Sequence, residues 1–152
     1  MGNELFLRAL DDRIYPLRAF EPTVMLDGGV LIQCDDDNRR SALCRICKQA
    51  CSRRDHLLSR IVRDVDQNEI TVFLKFAFPR VECREHGIVM AYQNFFEQYS
   101  SFTIAFEEYA LSLVADGWRP SQLARSLQIT RPILDRILKR AYRRRRIDDR
   151  RR

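Results

Sequence analysis

No apolar run in this sequence approaches the roughly 20 residues that a membrane-spanning helix needs, and 32% of its residues are charged. Both features argue against a helical membrane protein. The opening Met1-Gly2-Asn3-Glu4-Leu5-Phe6 lacks the basic start and apolar segment of a signal peptide. Phe6 stands where a myristoylation signal carries Ser or Thr. The expectation is a cytoplasmic chain. Histidine is scarce, with only two residues, and the cysteines number five, so they cannot all pair within one molecule. In a reducing compartment spaced cysteines point to metal or redox chemistry instead of disulfides. Asp35-Asp36-Asp37 lacks the ligand spacing and turn glycine of a calcium loop and reads as a solvated loop. No cluster of carboxylates offers acid–base chemistry, so neither an enzyme nor a small-molecule substrate is expected. Internal repeats are missing too.

What is present begins with a sharp charge asymmetry. Residues 101–152 hold 13 Lys or Arg against 6 Asp or Glu, whereas residues 1–100 hold 14 against 15. The basic character belongs to the last third alone, which points to an acidic partner met there.

Two short ligand pairs stand out: Cys44-Arg45-Ile46-Cys47 and Cys83-Arg84-Glu85-His86-Gly87. Each places two donors of the kinds Zn²⁺ prefers three positions apart, so two turns can supply a tetrahedral set of four. Cys44, Cys47, Cys83 and His86 are therefore the expected ligands of a structural zinc. Nothing nearby marks the general base that a catalytic zinc would want. Cys51 is the substitute ligand. His56 lies in the polar Arg53-Arg54-Asp55-His56 and reads as a turn histidine in solvent, and Cys34 reads as a small core residue.

Around these pairs the pattern predicts a short helix over residues 4–10, with a boundary at Asp11-Asp12. A strand is expected over 15–25, then a turn at Asp27-Gly28-Gly29 and a second strand over 30–34. Ile70, Val72, Leu74, Phe76 and Phe78 alternate with other residues at the period of a half-buried strand. Together with 60–66 it makes a hairpin turning at Asp66-Gln67-Asn68. A hairpin between two ligand pairs is what a zinc ribbon looks like in sequence, and it fills the long gap between Cys47 and Cys83.

After Gly87 the character changes. Phe95, Phe96, Tyr99 and Phe102 form an aromatic bridge into a helix over 103–115, on which Phe106, Ala110, Leu113 and Val114 share one face. A break at Asp116-Gly117-Trp118 leads to a short helix ending at Leu127. Thr130 then caps a third helix whose inward stripe is Ile133, Leu134, Ile137, Leu138 and Ala141. Three helices with a tight turn before the last match a helix-turn-helix, although Gln128 stands in that turn where glycine is common. The expected DNA-facing set is Thr130, Arg131, Asp135, Arg136, Lys139, Arg140, Arg143 and Arg144. Arginine there would read guanine edges, and Lys139 or Arg140 would hold phosphates. The last ten residues hold seven arginines, which read as backbone affinity without specificity, or as an extension of the helix.

Taken together, the Cys-x-x-Cys turn, Arg63-Asp64-Val65 before the alternating strand, Cys83-Arg84-Glu85-His86-Gly87, Phe102-Thr103-Ile104-Ala105-Phe106-Glu107 and the helix-turn-helix resemble a known family. The match is to the N-terminal half of ISL-three family insertion-sequence transposases, from Glu4 to about Arg143. The resemblance implies a zinc-binding region followed by one that recognises the element's terminal repeats. It also implies an RNase H-like catalytic core beginning where this sequence stops. The chain differs from the family in carrying Asp55-His56 where His-Asp is usual.

The expected architecture is therefore α+β: a β-hairpin and zinc-ribbon domain over 1–90, a helix-turn-helix domain over 91–143, and an arginine-rich tail over 144–152. The expected function is sequence-specific binding of double-stranded DNA by a truncated or domesticated transposase, as a repressor or end-binding subunit associated with the nucleoid. Its further partners would be a full-length transposase or a second copy. The alternative is a protein-interaction module of a mobile element or phage that inhibits a host protein.

Overall fold

The computed structural model describes residues 2–152, with side chains from Glu4 onward; Met1, part of the segment read for targeting signals, lies outside the described residues. Helix α1 (Gly2–Arg13) continues through the Asp11-Asp12 pair that suggested a boundary. Asp11 is not a helix breaker here, because its carboxylate accepts the backbone N–H of Ala19 at 2.7 Å and ties the helix to the next strand. Leu10 and Ile14 are buried against the sheet that follows.

The strand expected over 15–25 is broken in two, as β1 (Leu17–Ala19) and β2 (Thr23–Val24). Both run antiparallel to β3 (Val30–Asp36), with Ala19 opposite Cys34 and Val24 opposite Val30. Pro22, which has no N–H for a ladder, falls in the break. The strand β3 then pairs in parallel with β7 (Ile70–Phe76), and β7 pairs antiparallel with β6 (Arg60–Gln67). Asn68 and Glu69, at φ +48° and +66°, form the two-residue turn of that hairpin. The sheet order is β1-β3-β7-β6, with β2 on the same edge of β3 as β1.

A second sheet is built from β4 (Ala42–Leu43), β5 (Ala50–His56), β8 (Pro79–Cys83) and β9 (Gly87–Met90), in the order β4-β5-β8-β9. An isolated bridge between Cys44 and Ala91 brings its outer strands together and curls it. The β6–β7 hairpin therefore fills the gap between the ligand pairs but belongs to the other sheet. The residues Arg53-Arg54-Asp55-His56 form the end of β5, not a polar turn. Asp35 and Asp36 likewise belong to β3, and Asp36 is no solvated acid: it accepts from Arg53 Nε at 2.7 Å and lies 3.0 Å from His56 Nε2. Asp37 is held down to about 2 by hydrogen bonds from the side chain and backbone of Arg39.

The core between the sheets centres on four phenylalanines. Phe76, Phe78, Phe95 and Phe96 meet with ring centroids 4.8 to 6.2 Å apart, mostly edge to face. The aromatic bridge read from the sequence is thus divided. Phe95 and Phe96 enter this core, Phe102 stacks on Phe106 at 4.9 Å in a second one, and Tyr99 stands almost fully exposed. Cys34 is a core residue, and burial pushes its thiol up to about 12.

The second core lies within three helices, α2 (Ile104–Ala115), α3 (Pro120–Ser126) and α4 (Arg131–Arg151). Thr103 caps α2 by accepting the Phe106 N–H, and its own hydroxyl donates to buried Asp64 at 2.6 Å. The helices α2 and α3 end alike. Gly117 at φ +103° and Gln128 at φ +56° each take the left-handed position, and the next residue's N–H returns to Leu113 or Ala124. Gln128 thus adopts the geometry for which glycine is the usual choice. The arginine-rich segment is not a separate tail here: α4 is one helix of 21 residues that includes it.

Backbone pairing fixes the helices to the first sheet. The N–H of Arg63 reaches Ser101 O and that of Thr103 reaches Arg63 O, both at 2.9 Å, so residues 101–103 extend the β6 edge. The guanidinium of Arg63 lies over the Phe106 ring and donates to Leu127 O, in the turn before α4.

Candidate metal centre and outward helix

Two turns of the same shape carry the four expected ligands. In the first, between β4 and β5, Lys48 N–H returns to Cys44 O at 2.8 Å and Lys48 takes φ +58°. In the second, between β8 and β9, Gly87 takes the corresponding place at φ +70°. Ile46 N–H points at Cys44 Sγ from 3.4 Å. Such amides favour thiolates. The Cys44 thiol is lowered chiefly by the Cys47 amide, and Cys83 is lowered to about 7 by the amides of Glu85 and His86. The Gln49 amide pulls Cys47 down too, but burial and the sulfurs of Cys83 and Cys44 outweigh it and hold it at about 11.

The turns meet so that the ligand atoms of Cys44, Cys47, Cys83 and His86 all lie within 4.8 Å of one another. Cys47 Sγ is 3.7 Å from Cys83 Sγ, and His86 Nδ1 is 3.6 Å from Cys44 Sγ and 3.5 Å from Cys83 Sγ. A tetrahedral ion with bonds of about 2.3 Å to sulfur and 2.0–2.1 Å to nitrogen would set sulfur–sulfur edges near ~3.8 Å and sulfur–nitrogen edges near ~3.6 Å. Those three of the six edges stand close to these separations, and the four side chains lie near enough to hold a metal ion.

Cys51 and His56 lie outside this group. His56 pairs with Asp36 on the exposed end of β5. The Cys51 thiol donates to Gln49 O at 3.3 Å and is raised by burial and by the Cys83 sulfur beside it.

The expected DNA-facing residues divide into two groups. Thr130, Arg131, Asp135, Arg136, Lys139 and Arg143 are exposed. Within that set Arg131 pairs with Asp135 at 2.9 Å and donates to Ser121, while Arg143 meets Glu97 at 3.0 Å. Arg140 and Arg144 are turned into the protein. Arg140 Nε and Arg144 Nη1 hold the two oxygens of fully buried Glu107 at 2.8 and 2.7 Å, and Ser100 donates to the same carboxylate. Arg144 also holds Glu97 and Glu108, leaving its side chain 17% exposed.

Sequence reasoning missed this cluster, yet a signal was there. Glu107 follows Phe106 and precedes Ala110 by three, on the apolar face of α2. Counting by three and four from Ile137 through Ala141 brings Arg144 onto the inward stripe of α4. Asp64 was missed as well. It is buried, and the guanidinium of Arg13 at the end of α1 and the hydroxyl of Thr103 at the start of α2 satisfy it.

Among the described residues no helix is long and apolar enough to cross a membrane. No protein-family model, curated protein or solved structure matches the chain.

Proposed function

We propose that the protein binds double-stranded DNA through α4, on a base held together by one structural zinc ion. The reading of zinc rests on the donor set: three thiols and an imidazole suit Zn²⁺, and the sulfur–nitrogen edges match its bond lengths. Bound there, the ion would join the β4–β5 turn to the β8–β9 turn and supply no reaction.

The observation that carries the DNA reading is the surface of α4. Arg136, Lys139 and Arg143 are exposed on a helix that follows a tight turn, and that turn is anchored to β6 through Arg63. Such a helix can lie in a major groove without reorganising, and the positive charge of the last third favours the phosphate backbone. Arg136 is the base-reading candidate, since it makes only a 3.4 Å contact to Pro132 O within its own helix. Lys139 suits a phosphate. Arg140 and Arg144 act instead as positioning residues that hold α4 to α2. This is the module expected at the front of an ISL-three family transposase, acting as an end-binding subunit or regulator.

Selection from a random duplex pool tests the reading. Binding should weaken with salt at a log–log slope of about −0.9 per phosphate neutralised. Arg136→Ala should relax preference at one base pair at a cost of roughly 1–3 kcal/mol, and Lys139→Ala should weaken all sequences alike. Absence of duplex binding by the zinc-loaded protein at physiological salt would overturn it.

A further inference from the structure

Cys51 is the one thiol beside the four ligands that is not among them. Its place is set by the sheet. Ser52 pairs with Glu82 and Arg53 with Val81, so the next step of the antiparallel register sets Cys51 opposite Cys83. On its other side Cys51 pairs with Ala42 of β4. Directly opposed residues carry Cβ atoms about 4.5–5.5 Å apart. A disulfide needs about 3.5–4.5 Å, a closure that a small strand shift supplies. A cavity of about 540 Å³ opens on this spot, lined by Cys47, Cys51, Cys83, Ser52 and Arg84 among others, and gives a small oxidant access to both sulfurs.

We propose that Cys51 is the resolving thiol of an oxidation site: a peroxide converts Cys83 and Cys51 to a cross-strand disulfide and the metal ion leaves. This rests on the metal reading but not on DNA binding. The Cys83 thiolate attacks one peroxide oxygen, the O–O bond breaks, and the departing hydroxide takes a proton from solvent to become water. Cys83 is then a sulfenic acid, a poor metal donor. The Cys51 sulfur attacks the Cys83 sulfur, the S–O bond breaks, and the hydroxyl leaves as a second water with the Cys51 proton. Two electrons pass from the two sulfurs to the peroxide. Cys44, Cys47 and His86 remain as three donors, one short of the tetrahedral set.

Trypsin makes the outcome readable, because Cys44, Cys47, Cys51 and Cys83 fall on separate peptides, 41–45, 46–48, 49–53 and 81–84. The zinc-loaded full chain is treated with hydrogen peroxide, released metal is followed with a chromogenic chelator, and alkylated, unreduced digests are analysed by mass spectrometry. The wild type should lose its metal and yield 49–53 linked to 81–84, and reduction should restore metal binding. Cys51→Ser, which leaves the four ligands in place, should keep its metal at the same dose. Equal metal loss from Cys51→Ser, a 46–48 to 81–84 link, or retention of metal by the wild type would each overturn the proposal. A protein that takes up no zinc before peroxide is added would overturn the metal reading itself.

Discussion

In the sheet of β1, β3, β7 and β6 the inward positions hold Ile32, Val62, Leu74 and Phe76, none with measurable exposure. In the sheet of β4, β5, β8 and β9 the strand β5 is half-exposed or exposed along its whole length. The first sheet closes on apolar side chains, whose burial contributes about 1.5–3 kcal/mol each. The second contributes less to the same core: Val81 is fully buried, but beside it stand the small Ala42 and Ala91 and the partly buried Val89 and Met90. Its far end, where Cys44, Cys47, Cys83 and His86 converge, has no comparable packing to hold it. An ion bound there would take the place of a core, and a structural zinc can contribute on the order of 10 kcal/mol or more.

Removing the ion should break this contrast most strongly. With excess chelator, hydrogen exchange should lose protection in β4, β5, β8 and β9 while β3, β6, β7 and the helices keep theirs. Equal loss in both sheets, or no loss in either, would contradict the division. The helices close by a third device, the buried carboxylate of Glu107 between Arg140 and Arg144. Glu107→Ala leaves Arg140 without its carboxylate and Arg144 with only Glu97 and Glu108, and should lower stability by about 3 kcal/mol in a urea melt, with metal content unchanged.

Between pH 9 and pH 7 acid should act on the second sheet, through Cys83. Cys83 is lowered from its ordinary 9.0 to about 7, so in the metal-free protein its contribution is complete above pH 9 and is lost as pH falls through about 7. Protons compete with metal for that thiolate, so chelator competition should give weaker metal binding at pH 6 than at pH 8. The smallest effect tests the turn before α4. Gln128→Gly relieves a left-handed side chain at φ +56° and should raise stability by roughly 0.5–1 kcal/mol, read as a small rise in Tm.

The meeting of Cys44, Cys47, Cys83 and His86 was legible because its signal is local: two donors three apart, followed by a residue that turns the chain. The β6–β7 hairpin was legible from strict alternation, and the start of α4 from Thr130, although its hydroxyl makes no cap hydrogen bond. The strand β5 was not. Its Ser52-Arg53-Arg54-Asp55-His56 has no buried face to impose a period, and it is held instead by ion pairs from Arg53 to Asp36 and from Arg80 to Asp55. The parallel pairing of β3 with β7 is a contact across 42 residues with no local mark. Lys48 stands where Gly87 stands in the other turn, so the likeness of the two turns was hidden by a residue that seldom takes positive φ. Arg140 and Arg144 looked solvent-facing because charge was read before periodicity.

X-ray absorption at the zinc edge tests the central claim most directly, on protein loaded with one equivalent of metal. The account predicts a four-coordinate shell of three sulfurs at about 2.3 Å and one nitrogen at about 2.0–2.1 Å. A shell of four sulfurs, with Cys51 in place of His86, or an ordered protein that takes up no zinc, would contradict it.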